Sequence, residues 1–245
     1  MLDESPGAAR EAASLAAEVL PGYAAPLVLA ARANVRLQEF ALALNAFQKA
    51  RAIDPRSAEE PVALRDLALA QKHSGSIEAA AATYRILIPR LDLLPTTEDK
   101  ALVLVEYAAI SMSKHGDNLE LGEAVATLSR ARSLPPTRSS PIVLGLLALA
   151  LDRASSTGEA AEVLDALRRS NSVSLLASLA PSSLDFLVDT NEWNAVIALA
   201  FEQENKAQAI ATWERYIEGK PDEPYLAHAR THLGALRVSP ARPSR

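Results

Sequence analysis

His228 and His232 stand one helical turn apart near the end of the chain, a spacing that can aim two imidazoles at a single divalent metal. Ala229, Arg230 and Thr231 lie between them, so the glutamate that completes a zinc-protease helix is absent. No third ligand stands nearby apart from acids such as Glu223. Two histidines on a terminal helix are usually ordinary surface or half-buried residues, and the expectation is no metal and no cofactor. His73 and His115 fall at the ends of predicted helices, where a partly charged imidazole suits the negative helix terminus. The carboxylate pairs Glu59-Glu60 and Glu202/Glu204 fall in turns or on polar faces, and nothing sets them across a cleft as acid and base. There is no glycine-rich phosphate loop, no Gly-x-Ser-x-Gly and no cysteine, which removes the usual nucleophile and phosphate-binding motifs. No catalytic residue is expected, and the chain reads as a non-enzyme.

Charge and composition narrow the partner. With 25 Lys and Arg against 30 Asp and Glu, the net charge is -5, which argues against nucleic acid, because neutralising phosphates needs clustered cations. The longest clean apolar run, Ile142 to Leu151, stops at Asp152 and is about half the ~20 residues needed to span a bilayer. No direct membrane insertion is expected. The start, Met1-Leu2-Asp3-Glu4-Ser5-Pro6, lacks the apolar segment of a signal peptide. The expected compartment is the cytoplasm, with the periplasm as the alternative if a leader was removed. Abundant Ala, Leu and Arg with little Lys fit a bacterial source.

The elements that would position such residues recur. Five times a small residue is followed by a large apolar one and then a third anchor. The sets are Ala43-Phe47-Ala50, Ala80-Tyr84-Leu87, Ala124-Leu128-Ala131, Ala160-Leu164-Leu167 and Ala209-Trp213-Tyr216. This i, i+4, i+7 spacing marks one face of a helix, and its recurrence marks a stack of similar helical units. Ala and Leu favour helix, no β-branched alternation points to a sheet, and the class is all-α.

Taking the first anchor as position 20 of a unit of roughly 34 residues, repeats are expected at 24–57, 61–94, 102–138, 141–170 and 190–221. Pro55, Pro135-Pro136 and Pro221 follow second helices, which they cannot continue, while Pro61 and Pro141 open first helices. Turns are expected at Ser74-Gly75-Ser76 and His115-Gly116-Asp117, the latter extended through Asn118-Leu119-Glu120. Ala9, Ala13 and Ala16 fit a half repeat over 7–20, expected in a fragment of a longer protein or as a lone capping helix. Residues 168–189 are irregular: Leu175, Leu176 and Leu179 predict a short helix ended by Pro181, and Leu184, Phe186 and Leu187 the start of another. Residues 222–237 predict a capping helix, with Tyr225, Ala229, His232, Leu233 and Leu236 on one side, and 238–245 a disordered tail. One domain over 1–237 is expected.

The pattern resembles the tetratricopeptide repeat family over roughly residues 7–237. Departures are the alanines at the eighth position of the first four units, with Ile197 in the fifth, and Asn34, Gln71, Met112, Leu151 and Ala200 where a tyrosine is usual. The resemblance implies a right-handed α-solenoid of about five helix–turn–helix repeats whose first helices line a concave groove. It places Val28, Arg32, Val35 and Arg36 there, followed by Val62, Arg65, Leu69, Lys72 and His73. Further along come Val103, Glu106, Ile110, Ser113 and Lys114, then Ile142, Leu149, Asp152 and Arg153. An acidic chain would thus gather Arg32, Arg36, Arg65, Lys72 and Lys114 beside aliphatic side chains. Arginine binds carboxylates through paired hydrogen bonds, so an acidic peptide or protein fits. The competing reading is solvated charge flanking a core stripe. The chaperone-tail clamp of some family members needs Lys and Asn where this chain has Val28 and Arg32, and is not expected. The expected function is a non-catalytic protein–protein interaction scaffold. The alternative is a structural or assembly subunit, or an oligomerisation spacer, of a larger complex, with envelope association as one option, and the oligomeric state stays open.

Overall fold

The computed structural model describes residue 2 and residues 4–113, 118–137 and 140–238. Among the described residues the chain is an all-α helical repeat, with thirteen α-helices, three short 3-10 segments and no strand. It divides into two compact units, Met1–Thr96 and Thr97–Arg245.

The first unit contains α1 (Pro6–Val19), α2 (Ala24–Arg36), α3 (Phe40–Ile53), α4 (Pro61–His73) and α5 (Ile77–Leu87), then a 3-10 segment, Ile88–Leu93. Its core places Phe47 and Ala50 of α3 against Val28 and Ala31 of α2 and Leu67 of α4. Small alanines at the crossings let backbones approach, and the large residue of each anchor set fills the space so opened. Ala43, Ala50, Ala80, Tyr84 and Leu87 are fully buried and Phe47 nearly so.

The second unit contains α6 (Thr97–Ser113), α7 (Asn118–Ser133), α8 (Pro141–Arg153), α9 (Thr157–Arg169), α10 (Val173–Ala177), α11 (Glu192–Phe201), α12 (Lys206–Glu218) and α13 (Tyr225–Val238). The anchors Ala124, Leu128, Ala131, Ala160, Leu164, Leu167, Ala209, Trp213 and Tyr216 are all buried. Helix α8 is apolar around its whole circumference because α6, α7, α9, α10 and α11 all pack on it.

One turn geometry joins the helices of three hairpins. Gln38, Gly75 and Ser155 each take a left-handed backbone, with φ of 59°, 78° and 61°. The residue after each donates its N–H five residues back, Glu39 to Asn34, Ser76 to Gln71 and Ser156 to Leu151. This six-to-one bond closes a helix end and reverses the chain. Only the Ser74-Gly75-Ser76 instance carries the glycine by which such a turn is read from sequence.

Several boundaries differ from expectation. Helix α6 starts at Thr97 rather than near 102, and α7 is already helical at Asn118, where Glu120 in its first turn suits the helix N-terminus. The expected turn extension through Asn118-Leu119-Glu120 is therefore helix, and His115-Gly116-Asp117 lies outside the described residues. The short helix expected around Leu175 is α10. Leu184, Phe186 and Leu187 are buried but start no α-helix; α11 begins only at Glu192. The Asp189 carboxylate accepts the Asn191 N–H at 2.8 Å, a local turn that competes with earlier helical pairing. Val238 closes α13, and the rest of the expected tail lies outside the described residues.

Candidate functional site

In the first unit, α2 and α4 bring the expected groove residues together around an acid that the sequence reading did not consider. Arg32 Nε donates to Asp66 Oδ2 at 3.0 Å and Arg36 Nη1 to Oδ1 at 2.8 Å. The Asp66 side chain is fully buried, whereas 21% and 27% of the Arg32 and Arg36 side chains stay exposed. A buried carboxylate is tolerated only with its charge and lone pairs met, and two guanidiniums one helical turn apart on α2 meet both. The signal lay in the sequence: Val62, Ala63, Leu69 and Ala70, three and four residues to either side of Asp66, are all apolar.

The other expected residues are distributed differently. Arg65 and Leu69 are half-buried, Lys72 is buried and His73 is exposed. Leu69 packs on the cluster of Val35, Ala43 and Ala70, and the His73 ring stacks on Phe40 with centroids 4.3 Å apart. Val28 and Val35 belong to the core rather than to a groove lining, as do Val103, Ile110 and Leu149 of the second unit. Glu106, on α6 of the second unit, is buried too, and Lys114 lies outside the described residues.

In the second unit the positions assigned to a groove at the end of α8 are covered by α13. Arg153 is buried, with Nη1 2.6 Å from Glu192 Oε2 and Nη2 donating to the Tyr216 hydroxyl at 2.9 Å. That hydroxyl donates to Glu192 Oε1 at 2.8 Å. The guanidinium lies 3.8 Å from the centre of the Tyr225 ring, and the Tyr225 hydroxyl donates to the Met112 carbonyl at the end of α6. Burial disfavours the Arg153 charge, but the adjacent Glu192 carboxylate outweighs it and holds the proton firmly.

Next to Arg153, Asp152 meets both histidines of α13. His228 Nε2 lies 2.8 Å and His232 Nε2 3.0 Å from the same atom, Asp152 Oδ2. On the far side of its ring, His232 Nδ1 is 2.7 Å from Glu202 Oε1, which also accepts the Trp213 indole N–H at 2.8 Å. Burial alone would lower the His232 pKa, yet polar contact with Asp152 and Glu202 and their negative charge push it up to about 10. Burial acts on Asp152 in the opposite sense; its two histidines outweigh it and hold the carboxyl below the usual range. Asp152, His228 and His232 are a set of residues that could hold a metal ion, one ligand atom from each, all within 4.8 Å of one another. The third candidate ligand, absent from the sequence neighbourhood, comes from α8.

No family model and no curated protein matches the sequence. Solved structures do. YrrB, a tetratricopeptide repeat protein described as having an unusual peptide-binding site, covers 91% of this chain and all of its own, at 16% identity and a TM-score of 0.54. Acl4, described as the assembly chaperone of RpL4, covers 95% of this chain and 89% of its own, at 18% identity and a TM-score of 0.51. The likeness is one of fold: helical hairpin repeats of the tetratricopeptide type.

Proposed function

We propose that the chain is a non-catalytic interaction module that holds an acidic peptide or protein segment on the first-helix face of its hairpins. The observation that carries this reading is the pair Arg32 and Arg36, fixed by one buried carboxylate with part of each side chain still open to solvent. Both guanidiniums are held in place by the same buried carboxylate. Their side chains are already ordered, so an incoming carboxylate is bound with little further loss of rotamer freedom. Half-buried Leu69 and the exposed Phe40-facing ring of His73 would add apolar contact beside that charge. The peptide-binding description of YrrB is in keeping with this use of the fold.

Glutamate at positions 32 and 36 would set two new carboxylates against buried Asp66 and unfold the unit. Replacing Arg32 and Arg36 by lysine keeps the counter-charge but removes the fork that grips a carboxylate. Fluorescence anisotropy with labelled acidic peptides should show affinity falling about fivefold or more in that variant, with stability nearly retained. Equal affinity in both forms, or no binding of any acidic peptide, contradicts the reading.

A second reading, as an assembly element, is favoured by one observation: Leu15 and Val19, one turn apart on α1, and Leu20 and Tyr23 just after it are all exposed. Light scattering over a concentration range separates it, since association lost in Val19→Lys would favour assembly.

A further inference from the structure

We propose that Asp152, His228 and His232 bind one divalent transition-metal ion of the zinc class, which pins α13 to the end of α8. Two imidazole nitrogens and one carboxylate oxygen are a donor set suited to such ions, with a fourth position left for water. The geometry goes beyond proximity. Asp152 Oδ2 is buried and lacks a properly formed hydrogen bond, although two ring nitrogens approach within 3.0 Å of it. The three ligand atoms lie within 4.8 Å of one another, with the carboxylate oxygen shared between both rings. The Asp152 side chain is only 9% exposed, so this oxygen lies nearly out of reach of bulk water.

A tetrahedral zinc site sets its ligand atoms roughly 3.3 Å apart, so the two contacts with Asp152, at 2.8 and 3.0 Å, need to open by only about 0.3 to 0.5 Å. His228 and His232 keep 23% and 19% of their side chains exposed, which leaves them room to move. Glu202 completes the arrangement from behind: accepting from His232 Nδ1, it leaves Nε2 as the ligating atom. Trp213 fixes Glu202 and stacks beside the His232 ring with centroids 5.1 Å apart, forming the apolar wall of the site. The rival arrangement is an imidazolium at His232 held between Asp152 and Glu202, with no ion at all.

Chelator-treated full-length protein titrated with Zn²⁺ alone by calorimetry distinguishes the two. Binding of one ion per chain, with a rise in Tm, is the expected result. Asp152→Asn and His228→Gln should abolish it while circular dichroism stays helical, and Glu202→Gln should weaken it roughly 10- to 100-fold. His73→Ala should leave it unchanged. Co²⁺ added to the parent should give visible absorption bands that His232→Gln removes. No uptake by the parent protein, or uptake that survives Asp152→Asn and His228→Gln, overturns the proposal.

Discussion

At the residue scale the acid that matters most in the first unit is Asp66. Both of its oxygens are committed to arginines of the preceding hairpin, and its side chain has no solvent exposure. Asp66→Ala removes the buried carboxylate that both guanidiniums share and should lower the unfolding free energy by about 2–3 kcal/mol, read from urea denaturation. Arg32→Ala should cost less, because Arg36 still holds the carboxylate. Equal, small effects would show that the cluster is solvated rather than buried. The sequence exposed the cations but not their partner. Periodicity assigns residues to faces, and a carboxylate on an apolar face signals only that some partner exists. The same reason hid Asp152 from His228 and His232: the pairing is made by α13 meeting α8, far apart along the chain.

At the element scale the hairpins depend on turns and small crossing residues. Gln38 and Ser155 adopt the left-handed conformation that Gly75 adopts without penalty. Gln38→Gly and Ser155→Gly should each raise stability by about 0.5–1 kcal/mol, after allowing for the greater freedom of glycine in the unfolded chain. Thermal melts of the single variants check this; destabilisation by both would mean the turns are relaxed in another way. Gly145 has a different task. A Cβ there would meet Val196 Cγ1 at 2.7 Å and Leu176 Cδ1 at 3.4 Å, so α8 touches α11 and α10 through a missing side chain. Gly145→Val should cost roughly 2 kcal/mol through overpacking against a stiff β-branched neighbour, measured as a fall in the urea midpoint. This glycine could not be assigned from the sequence, where it sits within an unbroken apolar run.

At the scale of the whole molecule, composition and recurrence were enough to read an all-α repeat fold, because the anchor spacing is a local property that every hairpin restates. The anchor sets are buried throughout. Irregular segments were less legible: residues 168–189 pack by non-local contacts, such as the Trp193 indole donating to the Leu176 carbonyl at 3.1 Å. The groove residues were legible only in part, since side chains such as Lys72 and Glu106 are buried where the repeat pattern placed them toward a partner. The overall charge of -5 works against acidic partners at long range, so the proposed binding would draw on local contacts with the arginines and should weaken as salt rises. The most direct measurement is an amide NMR titration of the labelled full-length protein with an acidic peptide at low salt. Saturable shifts centred on Arg32, Arg36, Arg65 and Leu69, reversed by added salt, are the predicted result. No shifts, or shifts confined to helices other than α2 and α4, would contradict an interaction surface on this face.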